Sequence, residues 1–277
     1  MKSSPRSRLL PSKHRDRSST IRDPVRQSPR NAQLSRLVGT HLWTSRFLSH
    51  EERDALGNVV VSTRSVSANT DLVRQGERAD SLFIVADGWA CRYTTTREGG
   101  RQFPALMVPG DVGNLDSLMF DRLDYGVRTL TQATIVSLPR DRVLALAAQH
   151  PGIGRTFTWL ALVENAILSI WALSLGRRSA KERLVHLLCE LSVRLDAEDG
   201  NESSFAFPLT QEHIADAPGL TNIHVNRTNA AASEYWYDRN REPGHDPAGR
   251  AEPARYLRVR SELSAYSTVR RSTVGIE

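Results

Sequence analysis

At 277 residues the chain is long enough for two modest domains, and its 39% hydrophobic and 25% charged content is that of an ordinary soluble fold. The formal charge of +6 gives the body of the chain no claim on nucleic acid: residues 1–30 hold nine Lys/Arg against two Asp, a surplus of +7, so the rest sums to about −1. Two distant cysteines, Cys91 and Cys189, exclude a four-thiolate iron–sulfur cluster within one chain and fit a reducing cytoplasm.

The first 30 residues read as a disordered basic tail, with no apolar core of a secretory signal. "NAQLSRLV" and "SHEERDALGNVV" predict short helices, the second opened by a Ser or His before two acids. From Val59 to about Leu138 the texture is strands and turns. "SLFIVA", "WACRYT" with alternation, "RQFPALMV" and "TQATIVSLP" are separated by Gly- and Asp-bearing turns. Short strands at this spacing predict a small antiparallel barrel or roll.

After Pro139 the period turns helical. "RDRVLALAAQHP" predicts a short helix, and a long one follows from Pro151 to about Leu175. Its stretch 157–175 has the length of a membrane span, but Glu164 and Asn165 near the middle favour a buried helix of a soluble protein. Ile153, Phe157, Leu160, Ile167 and Trp171 form one apolar stripe; Trp159, Val163, Ala166, Ile170 and Leu173 form another. The roll covers one, and the same helix of a second subunit is the economical cover for the other, the alternative being a central helix buried within one chain. "LGRRSAKERLVHLLCELSVRL" begins a further helix after Gly176, and "DAEDGNESS" is an acidic loop.

"LTQEHIADAPGLTNIHVNRT" (209–228) then reads as two helices joined at a glycine. Thr210 caps the first, Ile214 and Ala215 face inward, Gly219 supplies a left-handed turn, Leu220 plugs the corner, and Thr221 caps a second helix anchored by Val225. That leaves Asn222, Asn226 and Arg227 outward, with chemistry suited to base edges in a major groove. Thr210, Gln211, Thr221 and His224 are candidates for phosphate contacts. Pro218 is a misfit that ends the first helix abruptly.

This order of roll, long helix and helix-turn-helix resembles the Crp/Fnr family of bacterial transcription regulators. "LVRQGERADSLFIVADGWACRY", "PGDVGNLDSL" and "LTQEHIAD…GLTNIHVNRT" carry the resemblance, over about residues 31–228. It implies an α+β protein: an antiparallel β-roll (double-stranded β-helix) of the cyclic-nucleotide-binding type, a long dimerisation helix, and a winged helix-turn-helix. The boundaries expected are a tail to 30, the roll sensor over 31–150, the dimer helix over 151–176 and the DNA-binding domain over 177–228. Double-stranded DNA, a second copy and RNA polymerase are the implied partners, with an effector or signal acting on the roll.

Members of the family that bind cyclic AMP carry Gly-Glu-Leu and, some residues later, an Arg that neutralises the phosphate. Here the matching stretch is Gly113-Asn114-Leu115, preceded by Gly110 and Asp111, and Leu123 falls where the Arg belongs. Arg122 and Arg128 are out of register. These six positions are the effector-pocket candidates, with cyclic AMP not expected as the effector; no cofactor is identified.

A cupin-type enzyme would need converging histidines on a roll, and no His falls between 51 and 149. A dimeric sensor that no longer reads DNA is the stronger rival. After Thr228 the family's wing is missing or altered, and residues 229–277 carry Pro243, Pro247 and Pro253 without a helical stripe. A reading-frame change near codon 228 accounts for this; a locus with no shifted frame encoding a wing rejects that explanation.

Overall fold

The computed structural model describes residues 42–60, 62–195, 202–221, 224–225, 236–238 and 256–260. The basic tail and the helix expected over "NAQLSRLV" lie outside them. Helix α1 (His50–Val59) opens at Ser49, whose Oγ accepts the Glu52 amide at 3.2 Å while Glu52 Oε2 accepts the Ser49 amide at 2.8 Å.

Seven strands follow: β1 (Ser62–Val66), β2 (Asp71–Val73), β3 (Ser81–Asp87), β4 (Ala90–Thr95), β5 (Arg101–Met107), β6 (Gly126–Thr129) and β7 (Ala133–Pro139). They form two antiparallel sheets, ordered β1-β7-β3 and β2-β6-β4-β5. Strand β3 is buried on both faces because its residues alternate between two cores. Phe83 and Val85 point into the roll with Val73, Met107, Leu123, Val127 and Ile135. Leu82 and Ile84 point outward, beneath α1 and the helices that come next.

Those helices are α2 (Arg140–Gln149), α3 (Pro151–Arg177, with proline in its first turn) and α4 (Ala180–Arg194, capped by Ser179 with Glu182). Helix α3 has the length and apolar composition of a membrane span. One face nevertheless packs on the roll through Ile153, Phe157 and Trp171, as the first stripe predicts.

The second stripe needs correction. Trp159, Val163, Ala166 and Ile170 are half-buried, Trp159 with Phe47 of the segment before α1 edge-on at 6.4 Å, and only Leu173 of that stripe is exposed. The uncovered face lies alongside, at Thr158, Ala161, Leu162, Asn165, Leu168, Ser169, Ala172 and Leu175, with Leu173 at its edge.

Strand β8 (Glu202–Ala206), helix α5 (Gln211–Asp216) and strands β9 (Trp236–Asp238) and β10 (Tyr256–Arg260) complete the described elements. The last three strands pair antiparallel in the order β8-β10-β9. Paired backbone thus occurs within the segment read from sequence as an anomalous tail. "WYD" and "YLRVR" are short aromatic or β-branched runs separated by Pro and Gly, a composition that supports strands without a helical period. One hydrophobic cluster crosses the whole C-terminal half: Cys91, Phe103 and Leu106 of the roll meet Trp171 of α3, Leu187 and Leu191 of α4, and Ile214 and Ala217 beside α5.

Candidate nucleic-acid interface and effector pocket

Thr210 Oγ1 accepts the His213 amide at 3.2 Å and caps α5. Ile214 and Ala215 are buried, and the chain turns at Gly219 with φ +64°, a region L-residues rarely adopt. The Leu220 amide returns to the Ala215 carbonyl at 2.9 Å. Thr221 then caps a second turn: its Oγ1 accepts the His224 amide at 3.3 Å and lies 3.0 Å from His224 Nδ1, while Val225 is fully buried. Pro218 is accommodated as a buried residue whose carbonyl accepts from Arg183.

Of the expected DNA contacts, Thr210, Gln211, Thr221 and His224 are exposed near this turn. Asn222, Asn226 and Arg227 lie outside the described residues. The sequence reading missed what holds the hairpin. Arg101 at the start of β5 donates to Asp216 at 2.6 Å and Glu212 at 2.7 Å, and Gln102 donates to the Ala217 carbonyl at 2.8 Å.

The effector candidates divide in two. Gly110, Asp111 and Leu115 line a small, mostly apolar cleft between β5 and α3, walled by Pro104, Leu106, Trp159, Leu160 and Ile167. Gly113, Asn114 and Leu123 do not line it; they build the roll. Asn114 is fully buried, accepting the Phe83 amide at 2.9 Å and donating to the Ser81 carbonyl at 2.9 Å. A Cβ on Gly113 would stand 2.7 Å from the Met107 methyl. Leu123 is 1% exposed inside the apolar interior.

The out-of-register cations are engaged elsewhere: Arg122 donates to the Gly76 carbonyl, and Arg128 grips Asp71 with two bonds of 2.7 and 3.0 Å. A cation missed by sequence does stand beside Gly113-Asn114-Leu115. Arg92 Nε donates to the Gly113 carbonyl at 2.8 Å, its guanidinium lies over the Tyr125 ring, and it pairs with Glu164 of α3. Burial lifts the Glu164 carboxyl above its ordinary range against the pull of Arg92.

A second buried network joins roll, α3 and α4. Arg194 pairs with Asp111 and donates to Glu190 at 3.0 Å and to the Leu106 carbonyl at 3.0 Å, while the Trp171 indole donates to Glu190. Burial pushes the Cys91 thiol up to about 12 and Cys189 up to about 11, so neither is a reactive thiolate. Among the described residues no cluster of three or more His, Cys, Asp or Glu could hold a metal ion.

Residues 63–150 match the cyclic nucleotide-binding domain and residues 182–231 the Crp-like helix-turn-helix domain. The chain is 25% identical over 182 residues to the Anaerobic regulatory protein of Aggregatibacter actinomycetemcomitans, covering 65% of this chain and 70% of that one. It is 29% identical over 169 residues to the Transcriptional activator protein FnrL of Cereibacter sphaeroides, covering 59% and 67%. The solved structure of FixK2 from Bradyrhizobium japonicum superposes with a TM-score of 0.63 at 20% identity, covering 76% of this chain and 99% of that one. With a cyclic-nucleotide-binding-type roll, a long helix and a Crp-like helix-turn-helix in this order, the chain belongs to the Crp/Fnr family of transcription regulators.

Proposed function

We propose that this chain works as a homodimer that binds a two-fold-symmetric DNA site sequence-specifically, under an effector other than cyclic AMP. The observation that carries the reading is the hairpin itself. Thr210, Gln211, Thr221 and His224 are exposed around a Gly219 turn whose inner side is filled by Ile214, Ala215 and Val225. On this reading those four hold phosphates, and Asn222, Asn226 and Arg227 touch bases. The relatives named as anaerobic or transcriptional activator proteins support the regulator class.

A cyclic phosphate needs an uncommitted cation. Leu123 offers none, and Arg92 is already paired with Glu164. In the cleft beneath α3 Asp111 and Glu190 are paired with Arg194, and Glu164 with Arg92, so neither arginine is free to hold an anion.

Selection of bound sequences from a random DNA pool tests the DNA reading. Enrichment of a palindrome with half-sites about one helical turn apart is expected. No enrichment at low salt would turn the assignment to the rival, a dimeric sensor that no longer reads DNA.

A further inference from the structure

Two stripes run along α3, each with the alternating three- and four-residue spacing of a heptad. One faces the roll: Ile153, Phe157, Leu160, Glu164, Ile167, Trp171 and Ser174, all buried or half-buried. The other is exposed along its whole length: Thr158, Ala161, Asn165, Leu168, Ala172 and Leu175, flanked by Leu162, Ser169 and Gly176. No charged residue interrupts it between Thr158 and Gly176. With the roll already against the first stripe, this uncharged face at heptad spacing fits the seam of a partner helix.

In this repeat Thr158, Asn165 and Ala172 occupy one core position, and Ala161, Leu168 and Leu175 the other. Small side chains at the first position let two backbones approach closely. The polar members differ in what they already do. Thr158 Oγ1 donates to the Gly154 carbonyl at 3.0 Å and Ser169 Oγ to the Asn165 carbonyl at 2.8 Å, so both hydroxyls are spent within their own helix. The Asn165 carboxamide stands exposed at the centre of the face.

Resting on the dimer reading above, we infer that Asn165 sets the register and direction of that dimer, by hydrogen-bonding to Asn165 of a second copy across a parallel, two-stranded pairing of α3. In the parallel, in-register arrangement like positions meet, so each carboxamide finds the other. In a pairing slipped by one heptad Asn165 meets Ala172 or Thr158, whose hydroxyl is already spent, and in an antiparallel one it meets a position of the other set such as Leu168, so its amide loses its like partner. Asn165 therefore acts against the wrong pairings more than it strengthens the right one. The parallel choice also puts both α4 helices, and the helix-turn-helix behind each, at the same end of the dimer.

The test uses the full chain and three variants. In Asn165→Cys, mild oxidation should link two copies, because opposed core positions lie within disulfide reach; Ala166→Cys, one residue round the helix, should give about a tenth of that yield or less. Cys91 and Cys189 are buried and stay out of the reaction. Asn165→Leu should raise the melting temperature and, by light scattering, change a single dimer into a mixture with larger assemblies. A wild-type chain that is monomeric by mass overturns the dimer reading itself. A wild-type dimer in which Asn165→Cys fails to link, or Asn165→Leu changes neither melting nor mass, overturns the register assignment alone.

Discussion

Arg101 and Asp216 are 115 residues apart in the chain and 2.6 Å apart in space. Their contact joins the hairpin of β4 and β5 to α5, the first helix of the helix-turn-helix. Both side chains are largely shielded from solvent, at 28% and 17% exposure, and the Arg101 guanidinium also stacks over the Phe103 ring. Removing one partner of such a pair leaves the other desolvated.

Arg101→Ala should therefore lower stability by about 1–3 kcal/mol, and by less where Asp216→Ala is already present. Thermal melts in a double-mutant cycle measure this. A coupling energy below about 0.5 kcal/mol would make the contact incidental.

That contact also marks where sequence reading stops. The roll was legible because "SLFIVA" and "ATIVSLP" are apolar runs between turn residues, and the hairpin because Thr210, Gly219 and Val225 sit at fixed local offsets. The ion pairs of Arg101, Arg92 and Arg194 were not legible. Each joins elements far apart in sequence, and an arginine carries no local mark of which carboxylate it will meet. The same gap misplaced the open face of α3: nothing near Trp159 announces that Phe47 will lie against it.

Cyclic AMP should give no binding heat at micromolar concentration. On the alignment proposed above Leu123 takes the place of the phosphate-neutralising Arg, and it packs among Val73, Phe83, Met107 and Val127. Freeing Arg92 from Glu164 to serve instead would strand a buried carboxylate. Isothermal calorimetry yielding a micromolar dissociation constant refutes this account.

His186 in α4 is 4% exposed, and burial lowers its pKa to about 4 from 6.5. The folded chain thus keeps the imidazole neutral where the unfolded chain protonates it. Its contribution is fully present above about pH 6.5 and is lost as pH falls toward 4, to a limit of about 3 kcal/mol. In His186→Leu the difference between melting temperatures at pH 7 and pH 4.5 should shrink. An unchanged acid limb would show that His186 does not titrate on unfolding.

Deleting residues 1–30 removes a charge surplus of +7. If that tail touches phosphates, the deletion should weaken DNA binding without altering the preferred site. It should also flatten the dependence of log affinity on log salt, by about 0.9 for each phosphate the tail neutralises. An identical slope would make the tail a bystander.

Arg227→Ala separates reading from holding. An arginine paired with both guanine acceptors contributes about 1–3 kcal/mol of discrimination at one base pair, whereas one on a phosphate contributes the same affinity to every sequence. The expected outcome is a relaxed preference at a single symmetric position in each half-site, seen by competition among single-base variants of the selected site. A uniform loss across all variants, with a salt slope smaller by about one, would reassign Arg227 to the phosphate backbone. Thr221→Ala is the matching control. Its hydroxyl already caps the turn to His224, so its loss should weaken every sequence alike by about 1 kcal/mol through the cap.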